Sequence, residues 1–138
     1  YRHWLFPGVH AALARIHGAG TTTGIIANTS VPGWIMDRNF RGVGLLQYLD
    51  VRLYSGDEGV GKPGRAIFDR AAARAAAHRG ATSKRRLFVG NSVPADIAGA
   101  AAAGWGAVLL RSSASTSDGL ATCEIDAWDE LPAIVLGG

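Results

Sequence analysis

The chain has 138 residues, 48% of them hydrophobic, which is enough for one domain with a buried core over residues 1–138. Its 14 Lys and Arg residues against 11 Asp and Glu give a net charge of +3, an excess too small and too scattered to indicate a nucleic-acid-binding surface. One cysteine excludes an internal disulfide and fits a reducing compartment, and no apolar run approaches the roughly 20 residues of a membrane-spanning helix. We therefore expect a cytoplasmic protein that binds neither nucleic acid nor a membrane.

The first half of the chain alternates between predicted helices and strands. Apolar residues at helical spacing predict helices over Val9–His17 and Pro32–Arg41. Runs of β-branched and apolar residues predict strands over Thr22–Ala27 and Val51–Tyr54. A polar, glycine-rich loop is expected over Ser55–Gly61, directly after the second of these strands.

The second half continues the alternation. Lys62–Pro63 leads into the clearest helix, because proline suits the first helical turn. The remaining predicted elements are helices over Gly64–Arg79, Pro94–Ala103 and Trp128–Leu136, strands over Leu87–Gly90 and Ala107–Leu110, and a loop over Ser112–Gly119. This order predicts an α/β fold, a doubly wound, mostly parallel sheet with helices on both faces and short strands buried on both sides.

Polar residues cluster at the predicted carboxyl ends of the strands, where sheets of this kind form their ligand crevice. The candidates are Asn28, Thr29, Lys62, Asn91 and Asp96. Lys62 stands on a tight loop at the start of a helix, where an ammonium group can hold a phosphate or a carboxylate. Asp96 falls in the first turn of a helix after a Gly-Asn-Ser turn, where a carboxylate can ligate a metal ion. The pattern predicts a site for a small anionic, oxygen-rich ligand.

One alternative for the loop before Lys62 is the phosphate loop of a nucleotide-triphosphate site, because Gly56–Lys62 matches the first part of that pattern. The pattern then requires a Ser or Thr hydroxyl for Mg²⁺, and Pro63 has neither a hydroxyl nor an N–H. Asp57 and Glu58 would also repel a triphosphate. Another alternative is a doubly wound nucleotide-binding domain of a different kind. Gly59–Gly64 has the Gly-x-Gly-x-x-Gly spacing of such domains, but Ser55–Glu58 separates it from the preceding predicted strand, whereas that motif follows its strand directly.

Four segments, in order along the chain, resemble the haloacid dehalogenase (HAD) superfamily of hydrolases. They are Leu5–Val9 with the helix that follows, Thr23–Thr29, Ser55–Pro63, and Val89–Ser92 with Asp96–Ile97. The first resembles the family's entry into its core after the cap, and the others resemble its second, third and fourth motifs. The resemblance implies a HAD-like Rossmannoid core and a hydrolase, most often of phosphate monoesters, that works through an aspartyl intermediate with Mg²⁺.

The roles that the resemblance implies fall on the same candidates. Lys62 would be a catalytic residue that steadies the nucleophile and the transferring group. Asn28 and Thr29 would lie beside the substrate, a small phosphorylated or other anionic compound. Asn91 and Asp96 would hold the metal ion.

The sequence departs from the family pattern at residues that carry the chemistry. No Asp-x-Asp pair, which supplies the nucleophile in the first motif, occurs in the chain. Ala27 stands where the second motif has Ser or Thr, and Asn91 where the fourth has Asp. We therefore expect this chain to lack the cap and the first-motif strand, which in the family precedes the point where this sequence begins, and to be inactive as given. The alternative is a non-catalytic HAD-like domain that binds a partner or an anion.

The missing strand has a structural consequence. In the family it lies between the strands of the second and fourth motifs, here Thr22–Ala27 and Leu87–Gly90. Because a strand edge carries unpaired N–H and C=O groups, these two strands are expected either to close on each other or to have another segment in the slot between them. The sequence indicates neither the individual substrate nor the oligomeric state.

Overall fold

The computed structural model describes residues 8–111 and 119–137. Within these residues the helices are α1 (Val9–Gly18), α2 (Gly33–Gly42), α3 (Ser55–Glu58), α4 (Arg65–Arg79), α5 (Ala98–Ala102) and α6 (Leu131–Leu136). The strands are β1 (Gly24–Ala27), β2 (Val51–Tyr54), β3 (Leu87–Gly90), β4 (Gly106–Leu110) and β5 (Cys123–Ile125). Short 3-10 turns cover Leu46–Tyr48 and Trp128–Glu130, and a π-helical turn covers Val93–Ile97. None of the described helices combines the length and apolarity needed to cross a membrane.

The predicted order of helices and strands is confirmed. β2 and β3 have their predicted bounds, β1 begins later than predicted, at Gly24, and β4 begins one residue earlier than predicted, at Gly106. These strands are short apolar runs bounded by polar residues and glycine, and such boundaries are the clearest strand signals in a single sequence.

Local structure differs from the prediction in a few places. The expected loop after β2 contains the helical turn α3, whose first turn carries Asp57 and Glu58, and acidic side chains there favour a helix start. The expected helix over Pro94–Ala103 is divided between the π-helical turn and α5. β5 has only three residues, too few to show an alternating pattern. The segment before Gly8 and residues 112–118 of the expected loop lie outside the described residues.

All strand pairs are parallel, and they form two sheets rather than one. In the first sheet β1 pairs with β2, with Gly24 opposite Val51. In the second sheet β4 lies between β3 and β5, with Leu87 opposite Gly106 on one side. The parallel α/β architecture is therefore confirmed, but the sheet is interrupted between β1 and β3.

Helices cover both faces of the two sheets, as in a doubly wound fold. On one face, α4 and α5 share a core with β1, β2 and β4, made of Ile26, Val51, Leu53, Ile67, Phe68, Ala71, Ile97, Ala100, Ala103, Ala107 and Leu109. On the other face, α2 packs on the first sheet through Met36 and Phe40. There α1 and α6 pack on the second sheet through Ile16 and Leu131. The layer of α4 and α5 thus spans the interruption and holds the two sheets side by side.

A cleft of about 910 Å³ separates β1 from β3, and every residue of both strands lines it. Among the described residues, β1 pairs only with β2, and β3 only with β4. The two strands have therefore not closed on each other, and no described residue fills the slot as a strand. All of β3 is only half-buried, whereas Ala107, Val108 and Leu109 of β4 are 1%, 0% and 0% exposed. The prediction that β3 is buried on both sides is wrong, because this strand faces the cleft.

Candidate active site

Lys62 lies in the loop between α3 and α4, at one end of the cleft. A cis peptide bond joins it to Pro63. Its side chain is 12% exposed, and its Nζ lies 2.5 Å from Oδ1 of Asp96. The same Nζ lies 5.1 Å from the centre of the Phe88 ring, a distance at which the face of an aromatic ring attracts a cation. The loop therefore presents a largely buried ammonium group that is held from two sides.

Asp96 reaches Lys62 from the turn that follows β3. Its side chain is 8% exposed, and its Oδ2 accepts a hydrogen bond from the Ser92 N–H at 3.1 Å. Gly90 makes room for this carboxylate, because a Cβ atom there would lie 2.3 Å from Asp96 Oδ2. Since Lys62 follows β2 and Asp96 follows β3, their ion pair bridges the two sheets at the carboxyl end of the cleft.

Asn28 directly follows β1 and holds the backbone of Lys62. Its Nδ2 donates to the Lys62 carbonyl oxygen, and its Oδ1 accepts from the Lys62 N–H, each at 2.9 Å. A Cβ atom at Gly61 would lie 3.1 Å from Asn28 Oδ1, so the loop packs closely against this amide. The end of β1 therefore fixes where Lys62 leaves its loop.

Thr29 and Ser55 tie the end of β1 to the end of β2. The Thr29 N–H donates to Ser55 Oγ at 2.8 Å, and Ser55 Oγ donates to the Thr29 carbonyl oxygen at 3.2 Å. The Thr29 hydroxyl accepts from the Val31 N–H at 3.0 Å, which stabilises the local turn. These contacts hold the loops after β1 and β2 in a fixed relation.

Glu58 fastens α3 to α4, the two helices on either side of the Lys62 loop. Its carboxylate accepts hydrogen bonds from Arg74 at 2.7 and 2.9 Å and from Arg70 at 3.3 Å. The bonds from Arg74, together with those from Arg70, hold the pKa of Glu58 below its ordinary value, although burial acts in the opposite direction. The carboxylate is therefore ionised at neutral pH and stabilises the frame of the site.

The comparison with protein families decides the classification. A family model described as HAD-hydrolase-like matches residues 59–135, which is more than half of the chain and includes Lys62, Asn91 and Asp96. The chain belongs to the HAD-like hydrolase family. Among solved structures, the HAD phosphatase from Thermococcus onnurineus is similar to this HAD-like chain, with 28% identity and a TM-score of 0.80, over 96% of this chain and 58% of that one.

Other solved structures share the fold of this chain. The 2-haloacid dehalogenase from Pseudomonas syringae pv. Tomato DC3000 is 32% identical, with a TM-score of 0.75, over 96% of this chain and 53% of that one. A candidate HAD-hydrolase from Bacillus subtilis, solved bound to magnesium, shares the fold at 22% identity and a TM-score of 0.78, over 93% and 54% of the two chains. The HAD-like chain thus spans a little over half the length of these structures. No functionally curated protein matches it.

The structure brings most of the predicted site residues of this HAD-like chain to one place. Asn28, Lys62, Asn91 and Asp96 line the same cleft. Thr29 is not among the cleft-lining residues, and its hydroxyl already serves the turn described above. The predicted convergence of Lys62 and Asp96 is thus seen as direct contact, although the two residues are 34 positions apart.

Asn91 and Asp96 fit a Mg²⁺ ion only in part. Asn91 is exposed and offers a neutral amide oxygen, while the two carboxylate oxygens of Asp96 accept from Lys62 and Ser92. Among residues 8–111 and 119–137, no group of three or more His, Cys, Asp or Glu side chains is placed to hold a metal ion. Because Mg²⁺ requires near-octahedral oxygen ligation, these residues do not complete a magnesium site by themselves.

Sequence reasoning missed some residues that support the site. Phe88 lies beneath the Lys62 ammonium, but an aromatic residue in an apolar strand gives no sign of such a contact. The position of Ser55, a polar residue directly after a predicted strand, is the feature of the sequence that could have indicated its role. For Glu58 the sequence indicates only a negative charge on a loop, because its partners Arg70 and Arg74 lie on the next helix, α4.

Proposed function

We propose that this chain forms the larger part of the core of a magnesium-dependent, HAD-type phosphatase for a small phosphorylated substrate. We further propose that hydrolysis requires a β-strand between β1 and β3 that carries the nucleophilic aspartate. The cleft between these strands, with Lys62 and Asp96 at its carboxyl end, is the observation that carries the proposal. The lone cysteine, Cys123, fits action in the cytoplasm.

The shape of the cleft favours an extended strand over a compact ligand. The two edges that face it belong to parallel strands, so both can accept one further parallel strand through regularly spaced backbone hydrogen bonds. Ile25 and Ile26 on one side and Phe88 and Val89 on the other offer apolar surface to its side chains. A strand that runs parallel to both would end beside Lys62, where an aspartate could face the ammonium group.

Lys62 supplies the electrostatic part of the proposed chemistry. Its ammonium group, held between Asp96 and the Phe88 ring, lies where negative charge on a nucleophilic carboxylate and a transferring phosphoryl group would gather. A preorganised cation in a largely buried position stabilises such charge more strongly than it would in water. Asn28 and Asn91 would add amide groups at the rim, and Thr29 stays a predicted substrate contact.

Magnesium enters the proposal as a cofactor whose site this chain supplies only in part. Asn91 and Asp96 would contribute two oxygen ligands, and the remaining protein ligands would be carboxylates of the added strand. A bound Mg²⁺ ion would neutralise phosphoryl oxygens during hydrolysis. Without the strand, residues 8–111 and 119–137 supply neither a complete metal site nor the aspartate nucleophile, and we propose that the chain does not turn over.

The test is a fusion in which an apolar strand ending in Asp-x-Asp-Gly-Thr precedes Tyr1 through a flexible linker. With Mg²⁺ and p-nitrophenyl phosphate, the fusion should hydrolyse substrate and the 138-residue chain should not. Changing the first aspartate to Asn should abolish turnover, and Lys62→Met should lower it by about 10²–10³-fold. A 2-haloalkanoic acid is assayed in parallel, so that halide release would reassign the substrate class.

Amide hydrogen exchange shows whether the added strand occupies the slot. Insertion should protect amides of β1 and β3 that exchange freely in the unfused chain. A fusion that gains this protection but hydrolyses neither substrate would refute the catalytic proposal. A fusion that gains none would refute the proposed occupant of the cleft.

The second candidate function is a non-catalytic domain that binds an anion, which Ala27 and Asn91 favour because both replace residues that carry the family's chemistry. Pairing of Lys62 with Asp96 weighs against tight binding of a free anion, because the anion would compete with the Asp96 carboxylate for the ammonium group. Titration of the 138-residue chain with inorganic phosphate decides between the two. A Kd below about 1 mM, lost in Lys62→Met, would favour the non-catalytic function.

A further inference from the structure

We propose that Asn28 is a positioning residue that fixes Lys62 in its working place through the Lys62 peptide groups. The inference rests on the proposed function only in taking Lys62 as the reactive cation. It concerns the placement of the ammonium group, which can be measured without substrate, metal or nucleophile.

The contact is a closed pair of hydrogen bonds. The Asn28 amide donates to the Lys62 C=O and accepts from the Lys62 N–H, and both distances are 2.9 Å. The peptide groups of Lys62 make no other hydrogen bond within the described part of the chain. Two parallel bonds from one rigid amide plane restrict both the position and the orientation of the backbone, as a single bond would not.

Asn28 is itself held in place by the strand that precedes it. Asn28 follows Ala27, which is 2% exposed in the core under α2, and β1 pairs with β2 along its length. Gly61 allows the loop to approach, because a Cβ atom there would lie 3.1 Å from Asn28 Oδ1 and 3.2 Å from Ser55 Cβ. The Asn28 side chain thus ties the position of the Lys62 backbone directly to the end of β1.

The placement of Lys62 should not depend on whether the cleft is filled. Asn28 reaches Lys62 from the end of β1, and both residues belong to the half of the molecule that lies on one side of the cleft. Lys62 is therefore already aimed across the cleft at Asp96 before any strand enters. Among the described residues, the second N–H of the exposed Asn28 amide has no acceptor, so positioning and substrate contact are compatible roles.

The composition of the chain offers a sharp assay. Lys62 and Lys84 are its only lysines, and Lys84 is exposed. Brief treatment of the folded chain with an acylating reagent, followed by mass spectrometry, gives the ratio of Lys62 to Lys84 modification. Lys84 serves as the internal reference for reagent and time.

Asn28→Ala should raise this ratio roughly fivefold or more, because the loop loses both hydrogen bonds and the ammonium leaves its protected place. Asn28→Asp keeps the acceptor for the Lys62 N–H and loses the donor, so a smaller increase is expected. The Lys62 amide should also exchange faster with solvent in Asn28→Ala, which loses its acceptor, but not in Asn28→Asp, which keeps it.

Ser55→Ala is the matched control, because it also removes two side-chain hydrogen bonds from a neighbouring loop without touching Lys62. If Asn28 positions Lys62, Ser55→Ala leaves the acylation ratio near the wild-type value. An equal rise in both variants would mean general loosening of the loops and would overturn the inference. So would an unchanged ratio in folded Asn28→Ala or Asn28→Asp, and neither result depends on whether a completed enzyme is active.

Discussion

The pair formed by Lys62 and Asp96 should be strongly coupled. Asp96→Asn keeps the side-chain shape and an acceptor for the Ser92 N–H, but it leaves an ammonium group that is 12% exposed without a carboxylate. Breaking a buried pair by removing one charge costs about 3–5 kcal/mol. Because the cleft admits water to one side of Lys62, the lower end applies, about 3 kcal/mol.

The double variant separates pairing from other losses. Lys62→Met removes the ammonium group and leaves the Asp96 carboxylate, which is 8% exposed, without a cation, so a loss of about 3 kcal/mol in the free energy of unfolding is expected. With both charges removed, no charge is left unpaired, and the cost should be about 3 kcal/mol in total. The coupling energy between Lys62 and Asp96 is then about 3 kcal/mol, at the upper end of the range measured for residues in direct contact.

Urea denaturation of the 138-residue chain and its variants, followed by circular dichroism, gives the free energies of unfolding. Arg65 and Asp69 form the control cycle, because they are an ion pair on one turn of α4 with side chains 68% and 57% exposed. Their coupling should be about 0.3–0.5 kcal/mol. If the Lys62–Asp96 cycle is additive to within about 0.5 kcal/mol, the two charges are not paired in solution and the bridge between the sheets is refuted.

Other substitutions test the frame of the site. Gly90→Ala should displace Asp96 and lower the free energy of unfolding, whereas Gly42→Ala, with open space around it, should be neutral or stabilising; matching denaturation curves for the two would contradict the packing at Gly90. Phe68→Ala should cost about 3–5 kcal/mol in a urea titration, because this fully buried ring packs against Phe88 and Trp105. Glu58→Gln should cost about 0.5–1 kcal/mol at pH 7. Because folding lowers the pKa of Glu58, that difference should shrink as the pH falls below the ordinary value of 4.5 and through the folded value, and a constant difference from pH 7 to pH 3 would contradict the ion pairs.

The fold could be predicted because its signals are local. β2 alternates the buried Val51 and Leu53 with the exposed Arg52 and ends before Ser55, and α4 begins after Lys62–Pro63 and Gly64. Each boundary is set by the residues beside it. β5 escaped prediction for the complementary reason, since Cys123–Ile125 is held in place by its pairing with β4 and not by a pattern of its own.

The site could be predicted at the level of strand ends but not of contacts. Parallel strands place their carboxyl ends on one edge, so Lys62 and Asp96 could be expected to meet. The two hydrogen bonds between the Asn28 amide and the Lys62 backbone depend on the path of a loop whose close approach is allowed by Gly61. In the same way, His17 Nε2 lies 3.1 Å from Asp50 Oδ1 across 33 positions, and no spacing rule links such residues.

The open slot follows from how the helices pack, which the sequence of the two flanking strands does not reveal. For β1 and β3 to pair, Ile26 and Phe88 would have to move together beneath α4, where Ile67 and Phe68 are fully buried against both sheets. The cost of displacing these side chains opposes closure, because a close-packed core resists rearrangement. The α4–α5 layer therefore preserves a gap that leaves backbone groups of both strands unpaired.

Filling that gap would change stability and chemistry in one step under the proposed function. An inserted strand would pair both free edges and bury the half-exposed side chains of β3. Its carboxyl end would at the same time bring an aspartate to a lysine that Asn28 and Asp96 already hold in place. Since the same hydrogen bonds would complete the sheet and deliver the nucleophile, variants of the added strand should lose stability and turnover together when they weaken its pairing. Variants that change only its terminal aspartate should lose turnover alone, and a strand whose pairing could be abolished without loss of turnover would break the proposed link between the sheet and the site.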